Sequence, residues 1–387
     1  MNTNLALKFE PDYTDEALAF GKGNIFQSII DDYTKLGLIG EDHNKLMCYL
    51  AAVSRKMDTP LNILVLSSSG AGKSVLQDKT IKLLPPEDVI RTSSISNKAL
   101  FYMDSLKGKL LAIEEAAGMN DTYAIRTLIS EGYLSLESVS GGKLKSTRIE
   151  GPTTVFMTTT NPEINPETKN RFYVLGIDES KEQTRQILEA QRKAHTLEGL
   201  IENRDLQVTI QKHYAFQRML KPYAVINPFA ESIFYEDTRI QARRDQPKFL
   251  NLCKLLAFTR QMQKQIHSHE NIKYIEVDQF DIDTAINLAS EVIGTSLDDL
   301  SLPARDLLNQ LDEWLPTGKE RTKSLFTRRQ TMEKTLWGKT RLHTHLKELL
   351  DLELVVKESG KQNSLQHYKL LYNGEGKDGR KFLIGIK

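Results

Sequence analysis

The chain has 387 residues, of which 40% are hydrophobic and 27% are charged, and its formal net charge is +1. This length predicts two or three domains with an ample core. The two cysteines, Cys48 and Cys253, are far apart and lack a C-x-x-C pattern, which argues against a disulfide framework or a zinc knuckle. No apolar stretch approaches the roughly 18 residues of a membrane span, and the first residues lack a signal pattern. We therefore expect a cytoplasmic protein without a membrane partner.

The charge is distributed unevenly along the chain. Residues 318–387 hold 16 Lys and Arg against 8 Asp and Glu, a net +8, so residues 1–317 carry the remaining −7 of the +1 total. A basic module on an acidic body is the pattern expected of a nucleic-acid binder. A basic face that is merely solvated would give the same count.

Residues 1–59 are predicted to form a helical lead-in. Residues 1 to about 23 are polar and irregular, and apolar residues then recur at helical spacing from Asn24 and again over 41–57. Thr59-Pro60 ends the second of these helices.

Residues 61–74 carry the clearest motif. The apolar run 61–66 is long enough for a strand buried on both faces, and it leads into small residues and a lysine. In a phosphate-binding loop, backbone N–H groups wrap a phosphate, the lysine reaches the β- and γ-phosphates, and a hydroxyl binds Mg²⁺. A Gly/Ser-rich turn without a ligand is the alternative. The predicted nucleotide-binding residues are Ser69, Gly70, Ala71, Gly72, Lys73, Ser74 and Val75, with Ser74 also on Mg²⁺.

A pair of acidic residues follows at the end of another apolar run. A strand at 89–94 and a helix at 97–107 are predicted first, and the strand 110–113 then leads into Glu114 and Glu115. ATP hydrolysis needs one acidic residue near Mg²⁺ and a second that polarises water, at the carboxyl end of a strand beside the P-loop strand. Glu114 fits the first role and Glu115 the second. Such a pair also arises by chance, so the assignment depends on the P-loop ahead of it.

Residues 133–150 predict a β-hairpin that follows a helix at 122–131. Apolar and polar residues alternate on both sides of Gly141-Gly142. Lys143 and Lys145 follow this turn directly. They serve either as solubility devices or as contacts to phosphate.

Two polar residues border the remaining predicted strands. The strand 153–160 ends at Asn161-Pro162, where the amide either orients water near a γ-phosphate or forms an Asx turn. Arg171 precedes the fifth strand, 173–177, and an arginine at that junction is available to the nucleotide of a neighbouring subunit.

The rest of the chain predicts a helical lid and a basic tail. Helices are expected at 181–196, 206–220, 248–268 and 279–293, with Arg243 and Arg244 ahead of the third. The tail reads as helix 302–314, helix 327–335, a turn, helix 339–350 and two strands around 358–362, the order of a winged helix. A protein-docking module is the alternative. The tail residues expected to reach DNA are Lys339, Arg341 and Lys361.

Together these elements resemble the AAA+ ATPase fold, an α/β core in which helices flank a parallel sheet. More narrowly, they resemble the minichromosome maintenance (MCM) helicases and the helicase modules of phage and mobile-element replication proteins. The resemblance covers about residues 60–300, with a matching tail, and is most specific over 113–121 and the lysine-bearing hairpin. In that family the hairpin grips DNA inside a hexameric ring. The resemblance implies DNA contacts at Lys143 and Lys145, a sensor at Asn161, an arginine finger at Arg171 and a second sensor at Arg243 or Arg244.

Four features differ from that family. Glu114 stands where the family usually has Asp, and Ser67 stands where it has Gly. The extra helix ahead of the acidic strand is missing, and the family's N-terminal zinc and oligonucleotide-binding domain has no counterpart. We therefore expect DNA encirclement to rest on the ATPase ring and the tail, and any primase activity to come from another chain.

The sequence thus predicts an ATP- and Mg²⁺-dependent DNA helicase of a mobile element or phage, with a homo-oligomer, expected as a hexameric ring, on single-stranded or forked DNA. The expected domains are a lead-in at 1–59, an ATPase core at 60–178, a helical lid at 179–300 and a winged helix at 301–387. A non-helicase AAA+ initiator, loader or DNA-bound regulator is the alternative. A signalling ATPase whose basic tail binds protein is a third interpretation.

Overall fold

The computed structural model describes residues 12–93, 97–103, 105–114, 123–140, 143–161, 164–202, 206–235, 242–294, 302–358, 366–372 and 384–386. The chain divides into two compact units. The first comprises Met1–Asn227 and Asn251–Ile282, and the second comprises Pro228–Leu250 and Asp283–Lys387. No described helix is both long enough and apolar enough to cross a membrane.

The first unit is an α/β structure. Its helices are α1 (Thr14–Lys22), α2 (Ile25–Lys35), α3 (Asp42–Ser54), α4 (Lys73–Lys82), α5 (Asn97–Leu100), α6 (Tyr123–Glu131), α7 (Pro166–Lys169), α8 (Lys181–Ala194), α9 (Leu197–Glu202) and α10 (Leu206–Met219), and two more, α11 (Ala242–Thr259) and α12 (Gln279–Gly294), have residues in both units. Its strands are β1 (Ile63–Leu66), β2 (Val89–Thr92), β3 (Leu110–Ile113), β4 (Tyr133–Ser140), β5 (Lys143–Glu150), β6 (Thr154–Thr159), β7 (Tyr173–Leu175), β8 (Ala224–Ile226), β10 (His267–His269) and β11 (Ile272–Glu276).

A five-stranded parallel sheet forms the centre of this unit, in the order β2-β3-β6-β1-β7. The residues of β3 and β6 are all buried, as expected for strands covered on both faces. The acidic strand β3 was predicted to lie beside the P-loop strand β1. This prediction was wrong, because β6 lies between β3 and β1. Helix α4 lies against β3 and β6, where the buried Gln77 amide donates to the carbonyls of Ile113 (3.4 Å) and Phe156 (2.9 Å).

The predicted hairpin is formed by β4 and β5, which pair from Tyr133↔Glu150 to Ser140↔Lys143. Near its base Leu134 and Ile149 are buried in the same apolar cluster as strands of the central sheet. Because each strand has eight residues, the hairpin is about 25 Å long. The base of the hairpin is therefore fixed in the core, and its far end lies about 25 Å from that base.

Three stretches differ from the sequence prediction. Helix α1 falls within residues predicted to be irregular, and its Ala17, Phe20 and Gly21 are buried at helical spacing. Helix α5 stops at Leu100, well short of the predicted 107. Residues 267–276, predicted as helix and connection, form β10 and β11, which join β8 in a three-stranded sheet. The region 179–300 is therefore not wholly helical, since short strands of three to five residues leave little periodic signal.

The second unit contains the basic tail. Its elements are β9 (Ile233–Tyr235), α13 (Leu302–Trp314), a 3₁₀ helix (Gly318–Lys323), β12 (Phe326–Thr327), α14 (Arg328–Thr335), α15 (Lys339–Asp351), β13 (Val355–Glu358), β14 (His367–Leu370) and β15 (Ile384–Ile386). Helices α14 and α15 are joined by three residues, and β12-β14-β13 form an antiparallel sheet. The predicted core face of α15 is buried, namely Leu342, Leu346 and Leu349.

A buried ionic network joins α2 to α10 in the first unit. Asp32, 1% exposed, accepts hydrogen bonds from Lys212 and Lys35 and contacts the ring of His213 at 3.0 Å. The other ring nitrogen of His213 contacts the Tyr49 hydroxyl at 2.8 Å. Burial alone would raise the pKa of Asp32, but hydrogen bonds from His213 and the two lysines hold that pKa well below its ordinary value. Burial lowers the pKa of His213, against the pull of Asp32.

Stability is expected to fall in two steps as the pH is lowered. Burial lowers the pKa of His213 in the folded protein, so the unfolded chain binds the proton more readily and stability falls as the pH drops below about 6.5. The depressed pKa of Asp32 stabilises the fold at higher pH, and this contribution is lost as the pH falls below about 4. Denaturant titrations between pH 8 and pH 3 check this. In a His213→Gln variant the first step should shrink, and a step of unchanged size would refute the assignment.

Candidate functional site

The carboxyl ends of the five parallel strands share one edge of the central sheet, and three of the predicted site residues, Lys73, Glu114 and Asn161, follow strands that end there. The P-loop follows β1, Asn161 comes two residues after β6, and Glu114 directly follows β3. Because β6 lies between β1 and β3, Asn161 lies between the P-loop and the acidic residue. We call this side the phosphate edge.

The backbone of the P-loop adopts positive φ angles at two of its glycines. Gly70 and Gly72 adopt φ of +81° and +110°, in the left-handed region that side chains other than hydrogen rarely tolerate. Lys73, 8% exposed, begins α4 and donates from Nζ to the carbonyls of Ser67 (3.0 Å) and Ser68 (2.6 Å). The N-terminus of α4 therefore faces the loop with its positive dipole end and an ammonium group, an arrangement that fits an anionic phosphate.

Glu179, which sequence reasoning missed, binds the start of the P-loop. It follows β7, the neighbour of β1, and its carboxylate accepts hydrogen bonds from the Ser67 hydroxyl and the Ser68 N–H (2.9 Å). The Ser67 bond, followed by the Ser68 bonds, lowers the pKa of Glu179. A glycine at 67 would lack this hydroxyl, so the departure from the motif provides a contact that the usual residue lacks. The acidic pair Asp178-Glu179 after the fifth strand was the available signal.

Glu114 is paired with an arginine that sequence reasoning also missed. Arg91 of β2 forms ion pairs with Glu114 and with Asp78 of α4, the latter at 2.6 Å, and the Glu114 bond raises the pKa of Arg91. Asp78 lies four residues after Ser74, on the same face of α4. The arginine thus links the carboxylate predicted for Mg²⁺ to the helix that carries the predicted Mg²⁺ hydroxyl. The sequence signal for this ion pair was Arg91 itself, a cation near the carboxyl end of the predicted strand that precedes the acidic strand.

Arg171 lies at the opposite edge of the sheet. It precedes β7, whose first residue, Tyr173, pairs with Ile63 at the start of β1. Four residues of β1, about 13 Å, therefore separate the level of Arg171 from the P-loop of the same chain. Its guanidinium donates to the Ser130 hydroxyl at 2.8 Å and to the Glu167 carbonyl. Arg171 is therefore too far away to contact phosphates bound to the P-loop of its own subunit. It lies where α6 and α7 meet.

The remaining predicted site residues lie elsewhere or outside the described residues. Lys143 and Lys145 occupy the first and third positions of β5, opposite Ser140 and Ser138. Lys339 and Arg341 are exposed at the start of α15, and Arg243 is exposed in the first turn of α11, which also contains Arg244. Glu115 and Lys361 lie outside the described residues. Among the predicted nucleotide-binding residues, Ser74 and Val75 are exposed at the first turn of α4.

One family model matches residues 11–220, more than half of the chain, and its description is the MTBMA_p00010 P-loop domain. The chain belongs to this P-loop domain family. The match covers the P-loop, the whole central sheet and the hairpin. No curated protein matches the chain. Membership identifies the first unit as a nucleotide-binding P-loop domain, a module consistent with ATP hydrolysis and typically used with Mg²⁺.

The side chains of the P-loop domain fit a nucleoside triphosphate with Mg²⁺. Lys73 holds its ammonium against loop carbonyls that a phosphate oxygen would replace, and Ser74 presents a hydroxyl beside it. Glu114 supplies a carboxylate once it is released from Arg91. Ser74 and Glu114 would hold Mg²⁺, which would supply positive charge against the negative charge that develops on the γ-phosphoryl.

Proposed function

We propose that the protein is an ATP-driven DNA motor, a ring-forming replicative helicase of a mobile element or phage. The observation that carries this proposal is the course of β6. This buried strand begins four residues after the hairpin ends at Glu150, and it leads to Asn161 at the phosphate edge. A shift of Asn161 in response to the γ-phosphate would therefore be transmitted along about 20 Å of rigid strand to the base of the hairpin.

The proposed chemistry is positional and electrostatic. Lys73 binds the β- and γ-phosphates, Ser74 and Glu114 hold Mg²⁺, and Asn161 senses the γ-phosphate, as the P-loop geometry supports. Glu115 orients the attacking water, a role that rests on its place in the sequence directly after Glu114. None of these groups needs to form a covalent bond, because phosphoryl transfer depends on placement and charge neutralisation.

The position of Arg171 supports the proposal of a ring of identical subunits. An arginine that neutralises a γ-phosphoryl can come from the same chain or from a partner. Since Arg171 lies at the edge away from its own P-loop, we propose that it serves the pocket of the next subunit. Each pocket is then built by two chains, and closure of such head-to-tail contacts gives a ring.

DNA is the proposed polymer because cations occur at both proposed contact regions. Lys143 and Lys145 lie next to the hairpin turn, and residues 318–387 carry a net +8. Phosphate contacts by lysine do not depend on base sequence, which suits a motor that moves along a strand. If the system also needs primer synthesis, a separate primase chain would supply it.

Strand displacement on a forked duplex tests the proposal. The motor should separate the fork only with ATP and Mg²⁺. DNA-stimulated ATP hydrolysis without separation, on forks with either tail, would instead favour an ATP-gated initiator, loader or regulator, which the basic tail also supports. ATP hydrolysis that DNA does not affect would contradict both.

Replacement of Arg91 is expected to change the Mg²⁺ requirement. In an Arg91→Ala variant Glu114 loses its ion pair and becomes available to the metal. The Mg²⁺ concentration for half-maximal ATP hydrolysis should fall about twofold to fivefold, as expected for one partly exposed ion pair. Titration of Mg²⁺ at fixed ATP measures this shift. An Arg148→Ala variant, which removes a cation from the hairpin, is the control and should keep the wild-type midpoint.

A further inference from the structure

The turn between α14 and α15 holds a leucine in an unusual conformation. Leu336 has φ 57° and ψ 24°, in the left-handed region, and its side chain is 88% exposed. No other large apolar side chain in the described part of the chain is more exposed. Glycine or asparagine usually ends a helix in this way.

Both properties of Leu336 oppose folding. The left-handed region brings Cβ close to the following carbonyl oxygen, and the exposed side chain gains nothing from burial. The glycine of this turn, Gly338, has φ −69°, which any residue adopts. Glycine would suit the left-handed conformation of Leu336, but the glycine of this turn lies two residues later. Strain of this kind at a surface turn points to a contact that the isolated chain does not make.

The neighbouring residue fixes the turn. Trp337 is buried in the core of the second unit, and its ring contacts His345 edge-on at 5.8 Å between centroids. The Arg341 guanidinium lies over the same ring, 3.9 Å from its centroid. The turn is therefore anchored by Trp337, and Leu336 projects from a rigid base.

The stretch of sequence that holds Leu336 is rich in basic residues. Between 328 and 347 the only acidic residue is Glu333, which forms an ion pair with Arg329 at 3.0 Å. An apolar side chain flanked by cations is suited to bind a polyanion that has apolar surface between its charged groups. Duplex DNA has this chemistry, because phosphates line the grooves and base edges and thymine methyl groups lie within them. The basic residues of this stretch are Arg328, Arg329, Lys334, Lys339, Arg341 and Lys347.

We propose that Leu336 is the apolar base contact of the second unit on duplex DNA, made within a groove whose phosphates bind the surrounding cations. Two helices joined by a three-residue turn suit a groove better than a flat anionic membrane, because the turn enters it together with the start of α15. The inference rests on the proposed DNA-binding function and adds a contact that reads bases.

Salt-dependent binding of the full chain to a labelled duplex tests the inference. Leu336→Asn should weaken binding about tenfold with an unchanged slope of log K against log salt concentration, because no phosphate contact is lost. Its Tm should stay equal or rise, since asparagine tolerates the left-handed region. Lys339→Ala should instead lower the slope by about one. Leu325→Asn, which removes another exposed leucine (45%) of the same unit, is the control and should bind like wild type.

The outcomes separate the inference from the function on which it rests. If Leu336→Asn binds duplex like wild type while Lys339→Ala is weakened, the leucine contact is refuted and DNA binding stands. If the wild type shows no salt-dependent duplex binding, the proposed DNA function fails. A Leu336→Asn defect seen only with vesicles of anionic lipid would also refute the inference. Leu336→Met, which keeps an apolar side chain, should bind within about threefold of wild type.

Discussion

A Lys73→Ala variant is expected to lose ATP hydrolysis by about 10³-fold while it folds normally. Lys73 is the buried cation of the P-loop, and within the described residues its ammonium donates to the carbonyls of Ser67 and Ser68. These bonds hold the charge where phosphate oxygens would lie. Loss of one preorganised group that stabilises transition-state charge costs about 10² to 10³ in rate, and loss of a full positive charge falls at the upper end.

The measurement is steady-state phosphate release at saturating ATP and Mg²⁺, with Tm as the check on folding. Lys82→Ala is the matched control, because Lys82 is exposed at the far end of the same helix. It should keep the wild-type rate. If Lys73→Ala hydrolysed ATP at a rate within tenfold of wild type, the proposed catalytic role of the P-loop would be refuted.

The second large effect is expected at the hairpin. A Lys143→Ala/Lys145→Ala variant should keep basal ATP hydrolysis and lose strand displacement on a fork almost completely. The two lysines lie next to the turn, about 25 Å from the base, so their removal leaves the core pair Leu134 and Ile149 intact. ATP hydrolysis should then continue at the pocket, while the proposed motor loses its contacts to the strand.

Arg148→Ala is the control on the same hairpin. Arg148 pairs with Glu150 at 2.9 Å and stacks over Tyr133, both at the base. This variant removes one cation without touching the turn, and it should still separate the fork. Equal loss of displacement in both variants would show that the hairpin acts only through its fold or its total charge.

The local elements of the P-loop domain could be predicted from the sequence because each has its own periodic signal. The apolar runs at 63–66 and 110–113 are strands, and Gly72-Lys73-Ser74 lies at the strand-to-helix turn as expected. The order of strands across the sheet has no such signal. Nothing in the run 154–159 itself says that it lies between the other two strands, so the acidic strand β3 was wrongly predicted to lie beside β1.

The ion pairs of the site could not be read from the sequence. Arg91 and Glu179 act on Glu114 and Ser67 from strands that are distant along the chain, and only the sheet brings their ends together. The strands β10 and β11 were missed because His267–His269 is too short to show alternation against the long helix before it. The strain at Leu336 depends on its left-handed backbone conformation. From residue type alone, this conformation would have been predicted at Gly338.

A subunit-mixing assay tests the central claim most directly, namely that two chains build each ATP pocket. Lys73→Ala and Arg171→Ala should each be inactive alone. In a 1:1 mixture allowed to reassemble with DNA and ATP, pockets that pair Lys73 of one variant with Arg171 of the other should restore about a quarter of wild-type ATP hydrolysis, as expected for random assembly of an arginine supplied in trans. A mixture that stays as inactive as its components would contradict the account.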